Sequence, residues 1–458
     1  MPLEDKLKLL RREREARAAR PRGVETAWEK IDGEAGLTVK QKLERLISLT
    51  DRGRGLAARP EAPPVEKKRR EPVQIFENAY ALGASYGQIP ISMGLQIPAD
   101  LLGFLSRDAS FDGLDLSSAV FLDLETTGLA GGTGTVPFLV GLAYYRDDRF
   151  KVTQFFLDEM AEEGRLVREL DRFVRDMGFK SIVSYNGKAF DLPLVETRFA
   201  MHRTPCPLRG LPHLDFLFSA RSLWKHKYDS CKLFDLAQRI VQAERSEDIP
   251  GGEIPPRYFQ YIRSGDFSLI DPILYHNQED LLSLLGVVVA GAVLVDRNRE
   301  AAARGEADAM DLFGVARLFE KAGDMTTTTA LLEQALAGGL TAEVSYQARK
   351  KLSCHFKRNK DWDKALGFWR EMAAGDECEC FRELAMYYEH KAKDYGEAVR
   401  YATEGLAVSK GRAAAAAEKD FEKRIARLRE KMAKEGPGGR GGPWCSALSG
   451  RRPGTRSR

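Results

Sequence analysis

One stretch, FLDLETTGL from Phe121 to Leu129, constrains this chain more than any other. The run SAVFLDLE has the composition of a buried strand, yet it carries two carboxylates, Asp123 and Glu125, two residues apart. On a strand, residues i and i+2 project from the same face, so two anions leave one hydrophobic element side by side. Burial and mutual repulsion both raise their pKa values. A positive group between them relieves that cost, and a hard divalent cation such as Mg²⁺ suits oxygen ligands. An edge strand with solvated acids satisfies the same pattern, so the stretch alone leaves both readings open. Thr126-Thr127-Gly128 then lets the backbone turn tightly and pass close to a ligand.

An α/β rhythm surrounds this strand. Strands are expected at Val120–Leu124, Phe138–Tyr145 and Arg149–Leu157, joined by short turns as in an antiparallel meander. Helical periodicity follows over Glu162–Met177, then a strand at Ser181–Ser184, a helix near Phe190–His202 and a strand near His213–Phe216. Further helices are expected at Ser230–Val241 and Leu269–Val295. This order predicts a mixed sheet covered by helices. The turn GLAGGTGT lacks the GxxxxGK[ST] spacing of a phosphate-cradling loop and leads into no helix, so it reads as a hairpin connection. Residues 73–114, apolar and aromatic, read as a segment packing on the domain at 115–296.

Past Asp296 the texture becomes helical. The stretches 314–324, 350–361 and 381–394 each end in a turn before a second helix carrying Ala330, Ala365 or Ala398. Those spacings lie near a 34-residue tetratricopeptide period, so residues 305–433 read as three degenerate repeats, which normally present a concave binding face. An ordinary helical cap is the alternative.

The formal charge of +4 is unevenly spread. Residues 1–72 carry a net +6 and residues 434–458 a net +5, which leaves −7 on the body between them. Both ends read as disordered and basic, suited to a phosphate polymer or simply to solubility. Six Cys without CxxC spacing argue against a disulfide framework or structural zinc and point to a reducing, cytoplasmic setting. The N-terminus lacks a signal peptide's apolar core, and the apolar run Leu281–Val295 is short for a bilayer span, so no membrane association is expected.

Two more stretches carry chemistry. In VSYNGKAFDLPLVETRF, residues 183–199, a strand hands over to a helix whose first turn holds Asp191, and Asn186-Gly187 forms a turn. In YHNQEDLLSLLG, residues 275–286, His276 and Asp280 are four apart and share a helix face. Tyr275 is rotated away by roughly 140°, and Glu279 reads as solvated. A helix-cap charge and a buried, self-capped His are the ordinary readings of Asp191 and His276 taken singly. His213 and Asp215 share a strand face and read as structural hydrogen-bonding groups. Lys188 and Arg198 read either as phosphate contacts or as solvated cations.

Together, Asp-x-Glu, Asn-Gly-x-x-Phe-Asp and His-x-x-x-Asp resemble, in this order, the three exonuclease motifs of the DEDD, or DnaQ-like, ribonuclease H-like superfamily. FLDLETTGL, SYNGKAFDLPL, DIPGGEIPPRYFQYI and HNQEDLLSL, followed by tetratricopeptide-like repeats, are similar to the YprB-like exonucleases. The resemblance covers about residues 75–295 closely and the repeats loosely. It implies a ribonuclease H-like α/β fold followed by an all-α repeat domain, and a metal-dependent 3′→5′ exonuclease. By the same resemblance, Asp123, Glu125, Asp191 and Asp280 would ligate two Mg²⁺ or Mn²⁺ ions, and His276 would orient and deprotonate the attacking water. Thr126 and Leu129 would hold the terminal nucleotide, and Asn186 and Lys188 stand as further substrate contacts. The superfamily places His five residues before the last Asp, or Tyr four before. Here Tyr275 and His276 exchange those registers, and the shared helix face favours His276. The implied substrate is DNA in repair, with a helicase or another protein as partner through the repeats. An RNA-trimming exoribonuclease and a non-catalytic binding scaffold are the alternatives.

Overall fold

The structure is a computed structural model that describes residues 71–128, 133–246, 248–301, 307–412 and 414–435. The chain divides into two units, Met1–Arg70 and Glu71–Arg458, and the described residues belong to the second. The basic end segments expected at 1–72 and 434–458 lie almost wholly outside the described residues, and Leu129 lies outside them entirely.

Six strands form one mixed sheet in the order β1-β6-β5-β4-β7-β8. These are β1 (Val73–Ala81), β4 (Ala119–Thr126), β5 (Pro137–Arg146), β6 (Arg149–Leu157), β7 (Ser181–Ser184) and β8 (His213–Asp215), while β2 (Ser85–Tyr86) and β3 (Ile89–Pro90) make a separate small hairpin. The meander β4-β5-β6 is antiparallel, as its short turns predict, and β7 and β8 add parallel strands beside β4. One strand differs from expectation. Residues 73–81 do not merely pack on the domain but pair antiparallel with β6 along their whole length. Polar Gln74, Glu77 and Asn78 suit an edge strand with water on one side, and they dilute the apolar signal there.

Alternation sorts the side chains of β4. Val120, Leu122 and Leu124 enter an apolar cluster with Leu166 and Leu170 of α2 (Glu163–Met177) and Phe199 of α3 (Asp191–Met201). Phe121 enters the opposite cluster. There it packs with α1 (Ala99–Ser106), α4 (Phe216–Trp224) and α7 (Asp271–Ala301), while the short α5 (Leu233–Leu236) and then α6 (Ile254–Ser264) lie between α4 and α7 in the chain. Each large side chain buried in this way contributes about 1.5–3 kcal/mol. Asp123 and Glu125 share the face of Phe121, so they point toward the side that α7 covers. Within α7 lies an apolar window long enough by composition to cross a membrane, and 72% of it is buried inside the fold. That is the signature of a core helix.

Three helix pairs follow: α8 (Ala309–Ala322) with α9 (Met325–Ala337), α10 (Ala342–Arg358) with α11 (Trp362–Ala373), and α12 (Cys378–Tyr387) with α13 (Tyr395–Gly411). Asp324, Asp361 and Asp394 each cap the second helix of a pair by accepting a backbone N–H three residues on. Four residues after each cap stand Thr328, Ala365 and Ala398, all buried. Ala330 is exposed, so the small-residue slot of the first pair is Thr328, and the register expected there is corrected by two residues. A last helix, α14 (Ala415–Glu435), is tied to the turn after α12 through buried Glu389, which accepts from Arg424, Arg427 and Lys431. Burial works against the Glu389 charge, but Arg427 and Lys431 overcome it and pull the carboxyl down to about 2.

Candidate active site

The site is assembled where β4, the start of α3 and the first turns of α7 meet. In the sheet, Asp123 of β4 faces Gly141 of β5, and Gly141 faces Gln154 of β6. Gly141 leaves a notch, and Asn277 of α7 fills it. A Cβ at residue 141 would stand 2.1 Å from Asn277 Oδ1. Asn277 Nδ2 donates to Asp123 Oδ2 at 2.7 Å, and Asn277 Oδ1 accepts from Gln154 Nε2 at 2.8 Å. The amide is thus a buried peg fixing α7, and with it His276 and Asp280, over the carboxylates. Gly141→Ala is expected to expel it. Overpacking of about 1–3 kcal/mol and an unpaired buried amide worth about 1–3 kcal/mol predict a clearly lower Tm in calorimetry. An unchanged Tm would mean that the peg does not hold the helix.

His276 sits between two groups of acids. Its Nδ1 lies 2.6 Å from Asp248 Oδ1, and its Nε2 lies 3.6 Å from Asp280 Oδ2 and 3.9 Å from Glu125 Oε1. An ionised carboxylate only accepts, so Asp248 fixes the proton on Nδ1 and leaves the Nε2 lone pair facing the acids. Tyr275, by contrast, has its hydroxyl beside Ser246 rather than the acids. Arg245, its side chain fully buried, bridges Asp248 at 2.8 Å and Asp280 Oδ1 at 2.5 Å. Burial disfavours that guanidinium, and Asp280 and Asp248 more than compensate, holding its pKa above the ordinary value. Glu279, expected to be solvated, is instead buried and accepts from the Tyr86 hydroxyl at 2.7 Å. The β2–β3 hairpin folds over that side of α7 and removes it from water.

On the α3 side, Asn186 has φ 71°, a left-handed conformation that Asn tolerates better than most residues. Its N–H donates to Asp215 Oδ1 at 2.7 Å, and the Lys188 N–H donates to Asp215 Oδ2 at 3.1 Å. Asp215 also caps α4 through Leu217, and His213 Nε2 meets Ser184 Oγ at 2.7 Å. Both have the structural roles expected of them: they build the turn that presents Asp191. The side chain of Lys188 is exposed. Arg198 is neither solvated nor free for phosphate. It is buried, pairs with Glu163 through two nitrogens, and donates to the Thr133 carbonyl at 2.7 Å. Thr126 Oγ1 donates to the Gly128 carbonyl at 2.9 Å, shaping the turn after β4.

The four acids act on one another. Asp123 is raised well above the carboxylate range by burial, then by Asp280, Glu125 and Asp191, with the Asn277 hydrogen bond opposing. Glu125 is raised by burial, then by Asp280, Asp191 and Asp248. Asp191 is pushed up to about 7 by burial and by Asp215. Hard oxygen donors under this much mutual repulsion, which Arg245 opposes only in part, fit divalent cations. As the side chains stand, no three His, Cys, Asp or Glu groups among the described residues converge on a single ion position, and Asn277 holds Asp123 while Arg245 holds Asp280. The Arg245 contact uses Asp280 Oδ1 and leaves Oδ2 facing His276, so the donor set retains an oxygen from each acid.

Carboxyls whose folded pKa exceeds the unfolded value stabilise the fold below the unfolded pKa of about 4 and lose that contribution as pH rises through the folded pKa. For Asp191 the window therefore runs from about 4 to about 7. The Tm of metal-free protein is expected to fall across that window, and Mg²⁺ is expected to restore it most at the alkaline end. A Tm that rises from pH 5 to 8 without metal would contradict this.

Sequence reasoning missed Arg245, Asp248 and Asn277. Asn277 lies inside the His-x-x-x-Asp spacing, and Asp248 lies inside the DIPGGEIPP stretch, but neither has a local pattern that assigns it a partner.

The model of the RNase_H superfamily matches residues 120–290, the span from β4 to the middle of α7. The uncharacterized protein YprB of Bacillus subtilis (strain 168) is 33% identical over 336 residues, which cover 71% of this chain and 78% of that protein. Among solved structures, the family B DNA polymerase of the archaeon Pyrobaculum calidifontis is similar with a TM-score of 0.32 and 17% identity, over 48% of this chain and 28% of the polymerase chain. With a ribonuclease H-like sheet and this identity across most of YprB, the chain belongs to the YprB family of the RNase_H superfamily.

Proposed function

We propose that the chain is a metal-dependent 3′→5′ exonuclease, acting on nucleic acid and foremost on DNA in repair. An RNase H-like nuclease domain supports a nucleic-acid substrate. The observation that carries the finer reading is the mutual proximity of Asp123, Glu125, Asp191 and Asp280, from three separate segments, with His276, held by Asp248, beside Glu125 and Asp280.

Asp123, Glu125, Asp191 and Asp280 would hold two Mg²⁺ or Mn²⁺ ions, which in such sites lower the pKa of the attacking water and stabilise the leaving oxygen. His276 Nε2 accepts the proton of a water directed at phosphorus, and the bond to the 3′ oxygen of the preceding nucleotide breaks. The products are a nucleoside 5′-monophosphate and a strand one residue shorter. Asp248 keeps His276 in the accepting tautomer throughout. Asn186, Lys188, Thr126 and Leu129 border the acids on either side in sequence and are proposed contacts to the terminal nucleotide. The helix pairs are a proposed surface for a helicase or another protein partner.

Matched 3′-end-labelled DNA and RNA, incubated with and without Mg²⁺ or Mn²⁺, test the reading. Release of labelled mononucleotide from DNA, dependent on metal, is expected. Equal release without metal, or release from RNA alone, would overturn the mechanism or the substrate respectively.

A further inference from the structure

A row of cations leads away from the acids and is used by nothing described above. Asp215, which anchors the Asn186–Lys188 turn, caps α4. Of α4, Leu217, Ala220, Leu223 and Trp224 are buried, whereas Phe218 is 44% exposed and Arg221 and Lys225 also face water. Residues 218, 221 and 225 follow the spacing i, i+3, i+7 and share one helix face. An aromatic ring and two cations therefore line a ridge that starts beside the candidate active site and runs about 10 Å along the helix.

The ridge ends at a fixed junction with the first helix pair. A Cβ at Gly314 of α8 would stand 2.3 Å from the Leu223 carbonyl, so the two backbones touch there only because that residue is Gly. Lys321 donates to Ser222 at 2.7 Å, and His226 meets the Met310 carbonyl at 2.5 Å. Beside this contact opens a cavity of about 440 Å³ lined by Lys225, Lys227, Tyr228 and Arg317, with Asp229 and Glu343 at its wall. Lys227 is neutralised by Asp311 at 2.7 Å. Among the described residues, Arg221, Lys225 and Arg317 have no carboxylate within 4.0 Å.

Lys225 and Arg317 line the same cavity, and Arg221 lies about one turn before Lys225 on the same helix face. All three oppose the rise that burial causes in the pKa of the Cys231 thiol, and the Cys231 carbonyl accepts from Tyr185, the residue before Asn186. Burial holds the Arg317 guanidinium below its ordinary pKa, and Glu320 offsets this only in part, because Glu320 is itself paired with Lys351 at 2.6 Å. A half-buried cation whose nearest counter-charge is already paired elsewhere is costly unless a ligand supplies another.

We propose that the α4 ridge and the α4–α8 cavity bind the phosphodiester backbone of a nucleic-acid strand whose 3′ end lies at the acids, with Arg221, Lys225 and Arg317 on phosphates and Phe218 stacked on a base. Alternating cations and an exposed ring are the elements of single-strand binding grooves. The proposal rests on the nuclease reading for which end of the strand lies at the acids, but its cations can be tested without catalysis.

The test measures binding of fluorescein-labelled dT20 and rU20 by anisotropy in EDTA, over a range of salt. It compares the full chain with Arg221→Ala/Lys225→Ala, both exposed positions, and with that pair plus Arg317→Gln. The triple variant is expected to bind at least about tenfold more weakly, with the salt slope reduced by about 2, near 0.7 for each phosphate that is no longer neutralised. The double variant is expected to fall between it and wild type. A preference for dT20 or rU20 identifies which polymer the cleft takes. Unchanged affinity and salt slope in both variants would overturn the proposal, as would equal competition by polyglutamate, which would assign the cleft to an acidic protein. Absence of nucleotide release from both dT20 and rU20 by wild type with Mg²⁺ would count against the nuclease reading alone, since the anisotropy in EDTA still reports the cleft.

Discussion

Asp123→Asn is expected to abolish nucleotide release while raising the Tm of metal-free protein. The two effects have one cause. Asp123 is half-buried beside three other acids and its charged form is disfavoured, so removing the charge relieves repulsion that the fold otherwise carries. The Asn277 hydrogen bond survives, because an amide oxygen still accepts it. A gain on the order of 2–4 °C corresponds to about 1 kcal/mol in a domain of moderate size. Activity moves the other way, because an amide is a neutral and weaker ligand for a hard cation. Loss of several kcal/mol of transition-state stabilisation, at about 1.36 kcal/mol for each tenfold in rate, predicts a fall of about 10³ or more. A variant that is less stable and still active would place the acids in an ordinary structural role.

His276→Ala is the second change with a large expected effect. A positioned base contributes about 10²–10⁴-fold, so kcat is expected to fall by that range while KM changes little. Asp248→Asn tests the base through its partner. The amide can present its NH₂ to Nδ1, which then favours the tautomer whose Nε2 carries the proton and faces the acids. Its kcat is expected to fall by at least about tenfold, whereas Tyr275→Phe, which loses only a hydroxyl beside Ser246, is expected to keep most of the activity. Single-turnover kinetics with saturating enzyme separates these outcomes from weakened binding. If Tyr275→Phe fell as far as His276→Ala, the base would have been assigned to the wrong residue.

Much of this arrangement was legible in the sequence because it rests on short-range periodicity. Asp123 and Glu125 share a strand face by a spacing of two, and His276 and Asp280 share a helix face by a spacing of four. The apolar runs around them fixed the meander and the core helix. What was not legible depends on contacts that no local period encodes. Asp248 and Arg245 reach His276 and Asp280 from a loop about thirty residues upstream. Asn277 acquires its meaning only from the missing side chain at Gly141, far away in the chain on β5. Arg198 looked available for phosphate because its partner, Glu163, belongs to a different helix. The edge strand at 73–81 escaped notice because one face of it meets water. In the helix pairs, Ala330 suggested a register that the Asp324 cap and buried Thr328 correct.

The central claim is that these acids cut nucleic acid stepwise from its 3′ end with the help of a divalent cation. A 5′-labelled single-stranded oligonucleotide incubated with the full chain and Mg²⁺ tests it most directly, with EDTA and Asp280→Asn as parallel arms. A ladder that shortens one nucleotide at a time from the 3′ end is expected, absent in EDTA and in Asp280→Asn. Internal cuts without a ladder, or a ladder that persists in Asp280→Asn, would contradict it.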